Sequence, residues 1–133
     1  MLTFPFFLIV CMLFLHVVDD YYLQGILASM KQRDWWLKNT PEDKQCLYCK
    51  DYLMALGMHS FSWTFMIMLP LTFYYLINDG VWFPMLYVIN TIIHFIVDDT
   101  KANKKRINLI EDQTIHIGQI LLTWIWCYVM YGM

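Results

Sequence analysis

The sequence predicts an all-α membrane protein: four transmembrane helices in an up-down-up-down bundle, with a short interfacial helix between the first and second. Composition carries the class, because 59% of the 133 residues are hydrophobic, 18% aromatic and only 15% charged, outside the range of soluble domains. Pattern carries the count, since apolar runs stand at about 2–24, 59–77, 81–98 and 112–131 within a single domain, 1–133. The apolar part of each run holds about 17 to 19 residues, which at about 1.5 Å per residue spans about 26 to 29 Å, just enough for a bilayer core. Charge carries the orientation. All nine Lys and Arg lie in the 31–58 segment or the 101–106 loop, so the positive-inside rule places both in the cytoplasm and both termini outside, in a cell inner membrane.

The first run starts at Leu2, and Pro5 falls in its first turns, where a missing N–H is tolerated. No Lys or Arg precedes the run and no small-residue cleavage site follows it, so it is expected to be a retained span rather than a signal peptide. Leu23, Ile26, Leu27 and Met30 keep a helical period and predict that this helix continues toward Lys31, with Gln24 near the face of His16. From 31 to 58 charge is interleaved with Trp35, Trp36, Tyr48 and Tyr52, as suits a cytoplasmic interfacial segment. Within it Thr40 as N-cap, Pro41 at the first position and Asp43 in the first turn predict a helix from Pro41 to Leu56, ending near Gly57. The second span holds Pro70 as an expected kink, and Asn78-Asp79-Gly80 predicts a tight turn into the third span, which starts at Val81. The fourth span is expected to rise from Asp112.

The chemistry sits at helix ends. His16 and Asp20, His94 and Asp98, and in reverse Asp112 and His116 are each four residues apart, a spacing that puts both side chains on one helical face. In an up-down-up-down path these pairs and His59 all fall on the cytoplasmic side, so all four histidines share one membrane depth. The order His16, Asp20, His59 then His94, Asp98, His116 is a faint internal repeat, and two such hairpins packed together would bring both sets to the bundle centre. Ionisable groups beside hydrocarbon cost several kcal/mol unless paired or bound, and imidazole with carboxylate is a donor set that divalent transition metals accept.

The expected metal ligands are therefore His16, Asp20, His94, Asp98, His116 and Asp112, with His59 and Asp112 as ligand or general base. Zn, Mn, Fe or Mg would serve, and the ligands suffice for two ions. Lys101, one turn after Asp98, is expected to act on substrate together with Gln24 and Gln113, gripping a phosphate or carbonyl oxygen, or else to anchor the loop at the interface. Asp19 and Asp99 point off the shared faces and are expected to be interfacial caps. Cys46 and Cys49 have zinc-ligand spacing without a second pair, and Cys11 and Cys127 lie too deep to complete one or to form a secreted disulfide framework.

The strings His16-x3-Asp20-Tyr21-x-Leu23-Gln24, a His59 opening the next span, His94-x3-Asp98-x2-Lys101 and Asp112-Gln113-x2-His116 resemble the small bacterial and phage membrane proteins grouped as domain of unknown function 3307. The match covers nearly the whole chain. More loosely the chain is similar to inner-membrane proteins described as metal-dependent hydrolases. The resemblance implies four membrane helices and a polar His/Asp site, and leaves the insert from Asn39 to Cys49 without a counterpart.

The function expected first is a membrane-embedded metal-dependent hydrolase, acting at the cytoplasmic interface on a phosphate ester or amide of a lipid or membrane-associated molecule. Two other classes compete. One is a non-enzymatic envelope modifier or partner-binding protein whose His/Asp core is structural. The other is a small ion or proton pathway, which would call for a homo-oligomer because four short helices leave little room for a pore. The expected partners are the bilayer and a lipid-like substrate, with no nucleic acid.

Overall fold

A computed structural model describes residues 3–78, 80 and 83–131. Leu2 and Val81, at the expected starts of two spans, and Asp79 of the expected turn lie outside them. The described residues form seven α-helices and no strand: α1 Thr3–Val17, α2 Leu27–Met30, α3 Arg33–Asn39, α4 Gln45–Tyr48, α5 Asp51–Ile77, α6 Pro84–Ala102 and α7 Leu109–Tyr131. The four long ones make the bundle. Helix α5 packs on α1 and α6, and α7 packs on α6 and α1, so neighbours in sequence are neighbours in space and the ring closes between first and last.

The bundle is apolar outside and partly polar inside. Along α6, Leu86, Asn90, His94 and Asp98 recur every four residues and are buried, while Met85, Val88, Ile89, Ile92 and Ile96 are exposed. Along α7, Asp112, His116, Gln119 and Thr123 are buried, while Ile117, Leu121, Leu122, Ile125 and Val129 are exposed. A hydrophobic cluster of Leu8, Met12, Trp63, Ile67, Leu71, Tyr75, Ile120 and Cys127 fills the half of the bundle away from the polar end. Two helices, Phe4–Leu23 and Asp51–Ile77, are long and apolar enough to cross a membrane. The other two expected spans, now α6 and α7, do not reach that measure, because the stripes they bury are polar.

Three elements depart from the sequence reading. The first helix does not run on to Lys31: after Val17 it widens into a π-helical turn over Val18–Leu23, and Gly25, at φ 51°, breaks it before α2. Only glycine adopts that left-handed backbone without steric cost. The interfacial helix expected from Pro41 to Leu56 is also absent. Thr40 is extended, as a residue before proline is pushed to be, and makes no capping bond; a short 3₁₀ turn Glu42–Lys44 and α4 follow. Helix α5 instead starts at Asp51 and runs without a break through Gly57 and Pro70. Finally α7 begins three residues early. Asn108 Oδ1 accepts from Glu111 N at 3.0 Å and Glu111 Oε2 accepts from Asn108 N at 2.8 Å, a reciprocal capping box that the sequence reading overlooked.

The short helices α2 and α3 fold back over the polar end. Asn103, just past α6, accepts from Arg33 N at 2.7 Å and donates to Lys31 O at 3.1 Å, fastening that segment to the bundle. Lys105 Nζ donates to Asp34 Oδ2 at 2.7 Å, and that bond and charge hold the exposed Asp34 carboxyl below its usual range.

Asn108→Ala removes one half of the α7 capping box and strands the other. A loss of about 1 kcal/mol of stability is expected, read from the unfolding midpoint in detergent micelles; an unmoved midpoint would show that the box contributes nothing.

Candidate metal centre

Four elements deliver imidazole or carboxylate to one point at the polar end. His94 and Asp98 come from the buried stripe of α6, His116 from that of α7, His59 from two turns inside α5, and Asp20 from the π turn after α1. None of the four histidines is more than 2% exposed. The rings meet closely: His94 stacks on His116 at 4.2 Å between centroids, His59 lies 5.1 Å from His94, and Trp63 lies 4.1 Å from His94 and 5.3 Å from His116.

The Nε2 atoms of three histidines face the carboxylates. His59 Nε2 stands 3.2 Å from His94 Nε2, 3.3 Å from Asp98 Oδ2 and 3.4 Å from Asp20 Oδ1. His116 Nε2 stands 3.2 Å from Asp98 Oδ1, and His94 Nε2 is 3.7 Å from the same oxygen. Charge-assisted hydrogen bonds are shorter, about 2.7 to 2.9 Å, and one ring nitrogen cannot direct one proton at three acceptors. Ligands about 2.0 to 2.2 Å from a tetrahedral centre are instead about 3.3 to 3.6 Å from one another. Two overlapping sets bring their ligand atoms within 4.8 Å of one another, Asp20 with His59 and His94, and His94 with Asp98 and His116. They share His94 Nε2, whose single lone pair serves one ion, so the geometry fits one ion better than the two expected.

His16 has another place. The indole N–H of Trp63 donates to His16 Nδ1 at 2.7 Å, and an indole nitrogen only donates, so the His16 proton is on Nε2, which donates to Gln113 Oε1 at 3.0 Å. Gln113 Nε2 then donates to Asp20 Oδ2 at 3.2 Å and to Asp112 Oδ2 at 3.1 Å. Both ring nitrogens of His16 are thus engaged, and the chain from Trp63 through Gln113 orients Asp20. Gln24 Nε2 donates to the Asp20 backbone oxygen at 2.7 Å. Asp112 accepts from Lys101 Nζ at 2.6 Å and faces His116 Nε2, the nitrogen that also faces Asp98, at 3.4 Å.

Asp19 corrects the sequence reading. The i to i+5 bonding of the π turn admits an extra residue per turn and turns both neighbouring carboxylates inward. Asp19 is 2% exposed, accepts from Ser62 Oγ at 2.7 Å, and presents Oδ2 to His59 Nδ1 across 3.7 Å. A carboxylate behind a histidine is the usual way of orienting a metal ligand. Asp99 stays outside the cluster, as expected, paired with Lys104 at 2.8 Å. Cys49 Sγ bonds only to the Cys46 carbonyl, at 3.0 Å.

Lys31 and Trp63 are the other participants the sequence reading missed. Trp63 had a signal, since it stands one helical turn after His59. Lys31 had none, because the break at Gly25 and the clamp by Asn103 bring it in; it is 9% exposed and its Nζ lies 2.6 Å from Asp98 Oδ2. Gln24, Lys101 and Gln113, expected to hold substrate, line with Lys31, Asp20 and Asp98 a cavity of about 400 Å³ that opens beside the cluster.

Fold and site together define an all-helical protein with a buried His/Asp cluster of a composition and spacing that can hold a metal ion. No protein-family model, curated protein or solved structure matches the chain. The resemblance to the family of unknown function therefore rests on the His and Asp strings alone.

With chelator present, Lys31→Met should cost about 3 to 5 kcal/mol, because it leaves Asp98 as an uncompensated buried charge. Adding Asp98→Asn should recover most of that loss. Equal unfolding midpoints for parent and Lys31→Met would show that the pair is solvated and contributes little.

Proposed function

We propose that this chain is a membrane-embedded, metal-dependent hydrolase with one ion held by His94, His116 and Asp98. The observation that carries the reading is the convergence of those three ligand atoms, with His116 Nε2 at 3.2 Å and His94 Nε2 at 3.7 Å from the same Asp98 oxygen, too long for strong hydrogen bonds and near the edges of a coordination shell. Two imidazoles and one carboxylate suit Zn, Fe or Mn better than Mg and leave a position open for water. When bound, such an ion polarises a substrate oxygen and acidifies a water at neutral pH. Asp20 stands at the cavity wall beside the ligands and takes the proton of the attacking water, then returns it to the departing oxygen or nitrogen of an ester or amide. His16, Gln113 and Asp19 are positioning residues, acting through Asp20 and His59. Lys101 and Asp112 brace the cavity mouth.

The same proposal puts four helices across the inner membrane, with α6 and α7 joining the two that are apolar throughout. Support comes from their surfaces: beyond the polar end, where Glu111 and Thr114 are exposed, the exposed positions of both are mostly Ile, Leu, Val and Met while Asn90, His94, His116, Gln119 and Thr123 are buried, the distribution that lipid demands. The basic loops and the site would then face the cytoplasm. A structural His/Asp network is the second reading, and one observation favours it: Lys31 already balances Asp98 from within the fold.

Elemental analysis of detergent-purified protein decides between the two. One ion per chain is expected. Asp98→Asn and His94→Gln should lose at least about tenfold in metal content, His16→Gln should keep the ion, and Asp20→Asn should keep it while losing turnover. A parent without metal, or variants all loaded like the parent, would establish the structural network instead.

For topology, a reporter inserted at Asn39 should be cytoplasmic and one fused after Met133, which lies outside the described residues, periplasmic. Both reporters on one side of the membrane would rule out the four-span path.

A further inference from the structure

The cavity beside the cluster has a charge problem whose solution names a ligand. Its walls carry Lys31, Lys101 and Lys105 together with Asp20 and Asp98. Without an ion each ammonium has its own carboxylate: Lys31 has Asp98 at 2.6 Å, Lys101 has Asp112 at 2.6 Å and Lys105 has Asp34 at 2.7 Å. A divalent ion on Asp98 upsets one of these pairs only. His94 and His116 face Asp98 Oδ1 while Lys31 holds Oδ2, so the ion and the ammonium would share the single negative charge of one carboxylate. Lys31 would then be a buried cation next to a second cation, an arrangement that is strongly unfavourable unless an anion joins them.

The competing substrates of the proposed hydrolase differ on this point. An amide or carboxylic ester brings a neutral carbonyl oxygen and leaves Lys31 unbalanced. A terminal phosphate brings negative charge and several acceptor oxygens, enough to meet the ion with one and the Lys31 ammonium with another. The position of Lys31 favours this, since it is 9% exposed, on the cavity wall, and clamped by Asn103 through its own carbonyl at 3.1 Å. Resting on the metal-centre reading above, we propose that the cavity is a binding site for the terminal phosphate of a phosphate monoester, held between the bound ion and Lys31. The rest of the substrate extends toward Lys101 and Lys105 at the mouth.

The test uses the full chain in detergent and inorganic phosphate as the probe. Metal content is measured first, and phosphate binding is then titrated calorimetrically on zinc-loaded and chelator-treated protein. Zinc-loaded protein should bind phosphate at least tenfold more tightly than chelator-treated protein, and zinc-loaded Lys31→Gln should lose at least tenfold while keeping its ion. Lys31→Arg, which keeps the charge, should bind more tightly than Lys31→Gln. Nanodiscs containing phosphatidic acid, compared with phosphatidylcholine alone and with soluble glycerol phosphate, distinguish a lipid headgroup from a soluble ester, and competition by either against inorganic phosphate supports the site. Protein that takes up zinc but binds phosphate no better than chelated protein overturns this inference and leaves the metal centre standing. Unchanged phosphate affinity in Lys31→Gln also overturns it. Protein that takes up no zinc overturns both.

Discussion

A single buried carboxylate, Asp98, ties the molecule together. His59 from α5, His116 from α7 and Lys31 from the segment after α2 all reach it, at 3.3, 3.2 and 2.6 Å, while His94 stands one turn before it on α6. An ionised carboxylate inside an apolar bundle is tolerable only when it is surrounded in this way. The requirement sets the register of α5, α6 and α7 at the polar end. It also explains why the short segment between α1 and α5 folds back over the bundle, because only that path delivers a lysine to the open side of Asp98.

The other end of the bundle has no such constraint and packs by shape. Trp63 links the two regimes. One face of its ring stacks on His94, its edge belongs to the hydrophobic cluster with Met12 and Ile67, and its N–H sets the tautomer of His16. One side chain thus passes a packing constraint on to a hydrogen-bond chain, through Gln113, that ends on Asp20. Polar groups tied in this way, His16, Gln113 and Asp20 among them, resemble a preorganised site, in which the reacting groups are held in place by their neighbours.

The π turn after α1 makes a similar economy of chain. In a regular helix Asp19 and Asp20 would point about 100° apart, and only one could enter the cluster. The widened turn brings both in, one to the front of His59 and one to its back. Such turns cost backbone hydrogen-bond quality, and they recur where function demands a particular side-chain direction.

By itself the sequence determined the helical class, the apolar runs and the gathering of His16, His59, His94 and His116 at one end, since each rests on local periodicity and on a simple antiparallel path. It also determined the inward stripe of α6, because spacing by four is a property of the helix alone. Tertiary structure decided the rest. Whether His16 is a ligand or a brace depended on Trp63 and Gln113, each distant from it in sequence; the inward turn of Asp19 depended on a backbone distortion that no residue type announces. Lys31 depended on a left-handed glycine and on Asn103, seventy-two residues away, so its role arose from chain geometry and was invisible to any local pattern. The interfacial helix failed for a related reason. Thr40 and Pro41 are good starting residues anywhere, but Thr40 makes no capping bond, and the chain passes through a 3₁₀ turn and the short α4 before α5 starts at Asp51.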